Sequence, residues 1–156
     1  MKFNNDKLVE LVKKDFKIDF YGDHGIEHWL RVYKNTKILA EYYKVESSVF
    51  ELFSLLHDSK RENEFFDEKH GPRAAAFAKQ LINEKLIVLN KEDERRLLFA
   101  CANHTVTDKE SLLCQDLIVQ ICFDSDRLDI GRVGITPSAE YMSTDYAKEL
   151  TKNKGY

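Results

Sequence analysis

Between Phe50 and Glu62 the chain reads FELFSLLHDSKRE, and no other stretch limits its possible folds as strongly. Val49, Phe50, Leu52, Phe53, Leu55 and Leu56 leave this segment apolar nearly all round, the pattern of a helix enclosed by other helices rather than lying on a surface. The helix ends in the adjacent pair His57-Asp58, and both groups are costly to desolvate without a partner. A metal ion is one such partner. Neighbouring side chains on a helix diverge by about 100°, so both can reach one ion only over the helix between them or at a loosened helix end.

Around this segment the apolar spacing predicts a bundle. Asn5 or Asp6 caps a first helix with Leu8, Val9, Leu11, Val12 and Phe16 inward, and Phe3 is placed to act as a hydrophobic staple. Tyr21-Gly22-Asp23 interrupts the pattern, after which a second helix runs from about Gly25 to Tyr43. On it His28 lines up with Val32, Asn35 and Leu39 and points inward, although a lone inward histidine is more often a hydrogen-bonded core residue than a ligand. His24, nearer the helix start, reads as a cap or an exposed residue. Ser48 and Glu51 have the spacing of a capping box for the third, apolar helix, and the polar run SKRENEFFDEKHG that follows is a loop able to line a site.

Gly71 and Pro72 open a fourth helix with Ala74, Phe77, Ala78, Leu81 and Ile82 buried; His70, just before it, is open to readings as ligand, cap or solvated residue. Asn90 and Asp93 begin a fifth through Leu97, Leu98, Ala100 and Cys101, with His104 extending that face. Asp108 or Ser111 leads into a sixth, apolar at Leu112, Leu113, Leu117, Ile118, Ile121, Cys122 and Phe123, which runs into Asp124, Asp126 and Asp129. The spacing of those three prevents all of them from facing one point on a regular helix. Thr136 and Pro137 start a last short helix with Tyr141, Tyr146 and Leu150. Only Leu86 to Leu89 hints at a two-residue alternation, too short to found a sheet. The expected fold is all-α, a compact bundle of about six to seven helices forming one domain over residues 1–156.

A chain of 156 residues can bury enough surface to fold without a metal or a disulfide, so a metal here serves chemistry. The three cysteines, Cys101, Cys114 and Cys122, form no CxxC pair and read as reduced, buried thiols. With 24 basic against 27 acidic residues and no like-charge block, no nucleic-acid polymer and no membrane is expected as a partner. The charge-interrupted first residues read as those of a cytoplasmic protein.

Four of the five histidines, His28, His57, His70 and His104, fall on inward faces or ends of different helices, alongside Asp58 and Asp126. Imidazole with carboxylate suits divalent first-row metals, and facing helices of bundles build such sites. The ordered set H28-x-x-R31-V32, L55-L56-H57-D58, H70-G71, H104 and D124-S125-D126-R127-L128-D129 resembles the HD-domain superfamily of metal-dependent phosphohydrolases, and HDSKRENEFFDEKHGPRAA with RLDIGRVGITP resembles its small stand-alone members. The resemblance spans about residues 22–137.

That resemblance implies metal ligands at His28, His57, Asp58 and Asp126, with Asp124 the alternative to Asp126, and a second ion at His70 and His104; some relatives pair two histidines where this chain has Asn103-His104. It implies one or two divalent ions (Mn, Fe, Co, Ni or Zn) and hydrolysis of a phosphoester of a nucleotide or other small phosphorylated metabolite by metal-activated water. Asp58, Arg61 and Glu62 are the expected catalytic residues, with Asp67 a second candidate for orienting the water, and Arg31, Arg61 and His24 are expected to bind substrate. Against these stand plainer readings: surface ion pairs for Arg31 and Arg61, loop solvation for Glu62 and Asp67, and closure of the helix end by Asp129 pairing with Arg127 or Arg132. Two other functions use the same residues, a di-iron oxygenase and a non-catalytic nucleotide-binding module.

Overall fold

A computed structural model describes residues 2–105 and 112–152. Among these, seven α-helices and three short 3₁₀ turns account for the regular structure, and no strand is present. The helices are α1 (Asp6–Asp15), α2 (Ile26–Tyr43), α3 (Val49–Leu56), α4 (His70–Asn83), α5 (Lys91–Asn103), α6 (Leu117–Leu128) and α7 (Asp145–Lys152). The expected all-α bundle is thus the observed one. No helix among the described residues is long and apolar enough to cross a membrane.

α3 is the central element, packed against α2, α5 and α6, while α4 lies along α5. Its apolar surround is real: Val49, Phe53, Leu55 and Leu56 are all buried. α2 joins α6 through Asn35, whose Nδ2 donates to Ser125 O at 3.0 Å, so the polar member of the predicted inward stripe ties two helices. Phe3 stacks on Tyr33 with ring centroids 5.4 Å apart, pinning the start of the chain to α2. The Asn5 cap is made, its side chain accepting from Leu8 N at 3.0 Å.

Several local expectations are corrected. Leu11 turns outward and is exposed. The Ser48–Glu51 capping box does not form, because Asn4 takes the Glu51 carboxylate through its backbone N–H and its side-chain amide; Ser47 Oγ accepts from Val49 N instead. The sixth helix starts at Leu117, capped by Asp116, whose carboxylate accepts from Ile118 N at 2.9 Å; a separate 3₁₀ turn covers Leu112–Gln115. The caps read at Asp108 and Ser111 lie outside the described residues. Thr136 and Pro137 begin no helix, since the chain stays irregular there and α7 opens only at Asp145. Leu86 to Leu89 is loop, alternating because Ile87 is buried in the core and Leu89 packs against it while Leu86 and Val88 are exposed. Cys114 is half-buried, not buried as expected, whereas Cys101 and Cys122 are buried thiols.

Gly71 sets how closely α4 approaches α5. A Cβ placed on it would lie 2.8 Å from Cys101 O and 2.9 Å from Ala102 O, both backbone atoms that cannot swing aside. Alanine is ordinarily the better helix former by about 1 kcal/mol, but the contact reverses the sign here. Gly71→Ala is expected to destabilise the protein by about 1–3 kcal/mol, the range for overpacking, as a lowered midpoint in urea denaturation. A variant as stable as the parent would show that α4 does not need this approach.

Candidate metal centre

The end of α3 solves the geometric problem posed by adjacent ligating groups. His57 N still donates to Phe53 O at 2.9 Å in the α-helical pattern, but Ser59 N donates to Leu56 O and Arg61 N to Asp58 O, so the chain tightens into three-residue turns at the His-Asp pair. With the α-helical pattern ended there, both side chains face the same interior point. His57 is wholly buried and Asp58 nearly so.

Asp58 stands between two pairs of imidazoles. On one side His28 Nε2 and His57 Nε2 are 3.0 Å apart, with Asp58 Oδ2 3.6 and 3.9 Å from them and Asp126 Oδ1 3.3 and 3.7 Å from them. On the other, His70 Nε2 and His104 Nε2 are 2.9 Å apart, with Asp58 Oδ1 at 3.1 and 3.6 Å. Two donors bonded to one ion at about 2.1 Å stand about 3.0 Å apart at a right angle and about 3.4 Å apart at the tetrahedral angle. Both trios, His28-His57-Asp58 and Asp58-His70-His104, therefore have the spacing to hold a metal ion.

The outer nitrogens make the case chemical as well as geometric. His57 Nδ1 lies 3.1 Å from Phe53 O, His104 Nδ1 lies 2.9 Å from Cys101 O, and His70 Nδ1 bonds Asp67 O. Carbonyl oxygens only accept, so each of these rings carries its proton on Nδ1 and turns a bare Nε2 lone pair inward. His28 Nδ1 bonds Asp129 Oδ2 at 2.7 Å, the carboxylate–imidazole arrangement that orients metal-binding histidines. Four lone pairs and a carboxylate directed at one small volume repel one another unless a positive charge lies among them. The donor set fits a divalent cation.

The electrostatics agree. Burial pushes the His57 imidazole down to about 3, so it is neutral at physiological pH. Burial also works against a charge on His28, but its hydrogen bonds to Asp126 and Asp129 outweigh that and raise it, making it the ring where protons compete with a cation. Asp58 and Asp126 stay ionised despite burial, held well below the usual carboxylate range by the facing imidazoles and by Arg61 and Arg132.

Of the two aspartates weighed at the end of α6, Asp126 is the one brought to the imidazoles. Asp124 faces the other way, accepting from Ser143 N, Thr144 N and Thr144 Oγ1, each at 2.7 Å, and so starts the chain into α7. Asp124→Ala is expected to lower the unfolding free energy by about 3 kcal/mol, through buried donors left unmatched, while bound metal measured by elemental analysis is unchanged. Loss of metal with unchanged stability would return Asp124 to the ligand set.

The remaining predicted site residues divide. Arg61 is buried and lines the cavity, yet its Nε donates to Asp58 Oδ1 at 3.1 Å, so it also steadies the carboxylate. His24 lines the same cavity with Nδ1 held by Glu64 Oε2 at 2.6 Å, and is neither a cap nor exposed. Arg31 is not turned to the cavity: Asp129 Oδ1 takes its Nε at 2.7 Å. Glu62 is likewise drawn to the surface by Lys17 at 2.7 Å, and Asp67 is occupied by Arg73 and Glu62 N. Asn103, in place of a second paired histidine, bonds Phe99 O within its own helix. Asp129, Glu64, Arg127 and Arg132 complete the surroundings. Asp129 follows Asp126 by three residues on one helix face, a spacing that signals a shared target; the other three carry no such signal.

The centre opens into a cavity of about 530 Å³, a volume suited to a small-molecule ligand. Its inner end presents Asp58, Asp126, His104, Arg61 and Arg132.

No protein-family model and no curated protein matches the chain. Among solved structures, a predicted HD superfamily hydrolase from an uncultured Thermotogales bacterium is similar, with a TM-score of 0.69 and 25% sequence identity over 95% of this chain and 83% of that one. The chain shares the HD-domain fold that its motif order resembles.

Proposed function

We propose that this HD-type domain is a metal-dependent phosphohydrolase acting on a small phosphorylated metabolite, nucleotides among them. The observation that carries the reading is Asp58, shared between two pairs of inward imidazole nitrogens beneath a cavity whose inner end also holds arginines. His28, His57, Asp58 and Asp126 would hold one ion, and Asp58, His70 and His104 a second. A divalent ion supplies a water acidic enough to attack near neutral pH and offsets charge on the phosphoryl oxygens.

The chain's own side chains would do the rest. Arg61 and Arg132 are fixed guanidinium donors at the inner end of the cavity, suited to phosphoryl oxygens. Asp129 keeps the His28 ring aimed inward, and Glu64 does the same for His24, which faces the bound substrate. A small-molecule partner agrees with the near-neutral charge balance.

The test is elemental analysis of the purified protein, then phosphate release from nucleotides and other phosphomonoesters after chelation and reloading with Mn, Fe, Co, Ni or Zn. Release that disappears on chelation and returns with metal is expected; no release with any metal would refute the assignment. A second reading, a di-iron oxygenase, is favoured by one observation: all six protein ligands that it requires converge. Oxygen consumption by the iron-loaded protein without phosphate release would select it. A protein that binds no metal and cleaves nothing would be a non-catalytic module.

A further inference from the structure

The cavity has two chemically different ends. His104, Asp58, Asp126, Arg61 and Arg132 line it where it meets the imidazole cluster, and Arg127 is a further charged lining residue. Much of the rest of its lining is apolar: Phe66, Ile130, Val133, Ile135, Pro137 and the buried Met142. Several of these side chains are unusually exposed for their type, Phe66 by 85%, Ile135 by 54% and Val133 by 40%. Single exposed apolar residues need no explanation, but several lining one cavity beside an anion site form a surface that water covers poorly.

This wall is built and held. Gly134, at φ +78°, ends the 3₁₀ turn Ile130–Val133 and redirects the chain into the irregular stretch that forms the outer wall. Arg132 fixes the near end of that stretch through Asp23 O at 2.9 Å, and Arg127 fixes the far end through Tyr141 O at 2.7 Å. Uncharged hydrogen-bonding side chains on it are confined to Thr136, Ser138 and Tyr141.

We propose that the ligand of this cavity is an amphiphilic phosphoester, with its phosphoryl group at the imidazole cluster and an apolar chain or ring of several carbons as leaving group, lying along Phe66 and the Ile130–Met142 wall. The inference rests on the phosphohydrolase reading and narrows its substrate class. Charge complementarity selects the orientation: the anionic head meets Arg61 and Arg132 beside the metal centre and the apolar part the exposed side chains.

The test is a binding series independent of turnover. Non-cleavable alkyl phosphonates from methyl to hexyl, with phenylphosphonate as the aromatic arm, are titrated calorimetrically into the full chain loaded with Mn. Kd is expected to fall about fourfold for each methylene that reaches the wall. The double variant Phe66→Ser, Ile135→Ser should flatten that gradient, whereas Val88→Ser, an exposed apolar residue outside the cavity, should leave it intact. A tighter phenyl than hexyl complex would make the leaving group aromatic; the reverse would make it aliphatic. Equal Kd for methyl and hexyl, no binding by any member, or a gradient unchanged in the double variant would overturn the proposal. A gradient in binding without phosphate release from the matching phosphoesters would refute hydrolysis alone, and release without chain-length dependence would refute the amphiphile alone.

Discussion

Asp58→Asn is expected to empty both metal positions and to lower phosphate release by at least about a hundredfold, since even partners outside the ligand shell cost 10–100-fold in such sites. One carboxylate faces four imidazole nitrogens, Oδ2 toward His28 and His57 and Oδ1 toward His70 and His104. An amide keeps the shape but loses the charge and turns an N–H₂ toward one pair. That group can donate to a bare Nε2, satisfying without any ion the lone pairs that otherwise require a cation. Elemental analysis reads the loss of metal, circular dichroism shows that the helices persist, and a phosphate assay reads activity. A variant that kept its metal and its activity would refute the assignment of Asp58.

The next largest effect is expected from Asp129→Ala. Asp129 touches neither cavity nor cluster interior; it holds His28 Nδ1 at 2.7 Å with one oxygen and Arg31 Nε at 2.7 Å with the other. Removing it frees the His28 ring to rotate or change tautomer, and metal affinity should fall about 10–100-fold, measured by competition with a chelator of known strength. Arg31→Ala should cost far less, because among the described residues Arg31 pairs only with Asp129 and is 44% exposed at its side chain. Were Arg31→Ala instead to raise KM steeply while leaving metal affinity alone, Arg31 would bind substrate after all.

The helices were legible because their apolar stripes are long and regular, as in α2 and α3, and burial follows those stripes closely. What periodicity cannot supply is competition for a side chain. Glu51 has the spacing of a capping box, yet Asn4, distant in sequence, offers it two donors and wins. Glu62 and Glu64 are equivalent on paper, two carboxylates on one polar loop. Glu64 reaches His24 because Gly22 leaves room for it, whereas Lys17 draws Glu62 outward. At the centre the residue order placed six groups near one another by resemblance, but it could not show Asp58 as the shared member or Asp129 as the anchor of His28. Both depend on how α2, α3 and α6 meet.

Three of the four histidines take their anchor from a carbonyl three residues earlier on their own segment: His57 from Ser54, His70 from Asp67 and His104 from Cys101. Ring direction at these three positions is therefore held within the local backbone rather than by contact between helices. Such a centre is preorganised. An ion held there would find three of its imidazoles already aimed, leaving metal supply rather than rearrangement of those rings to decide which ion is bound.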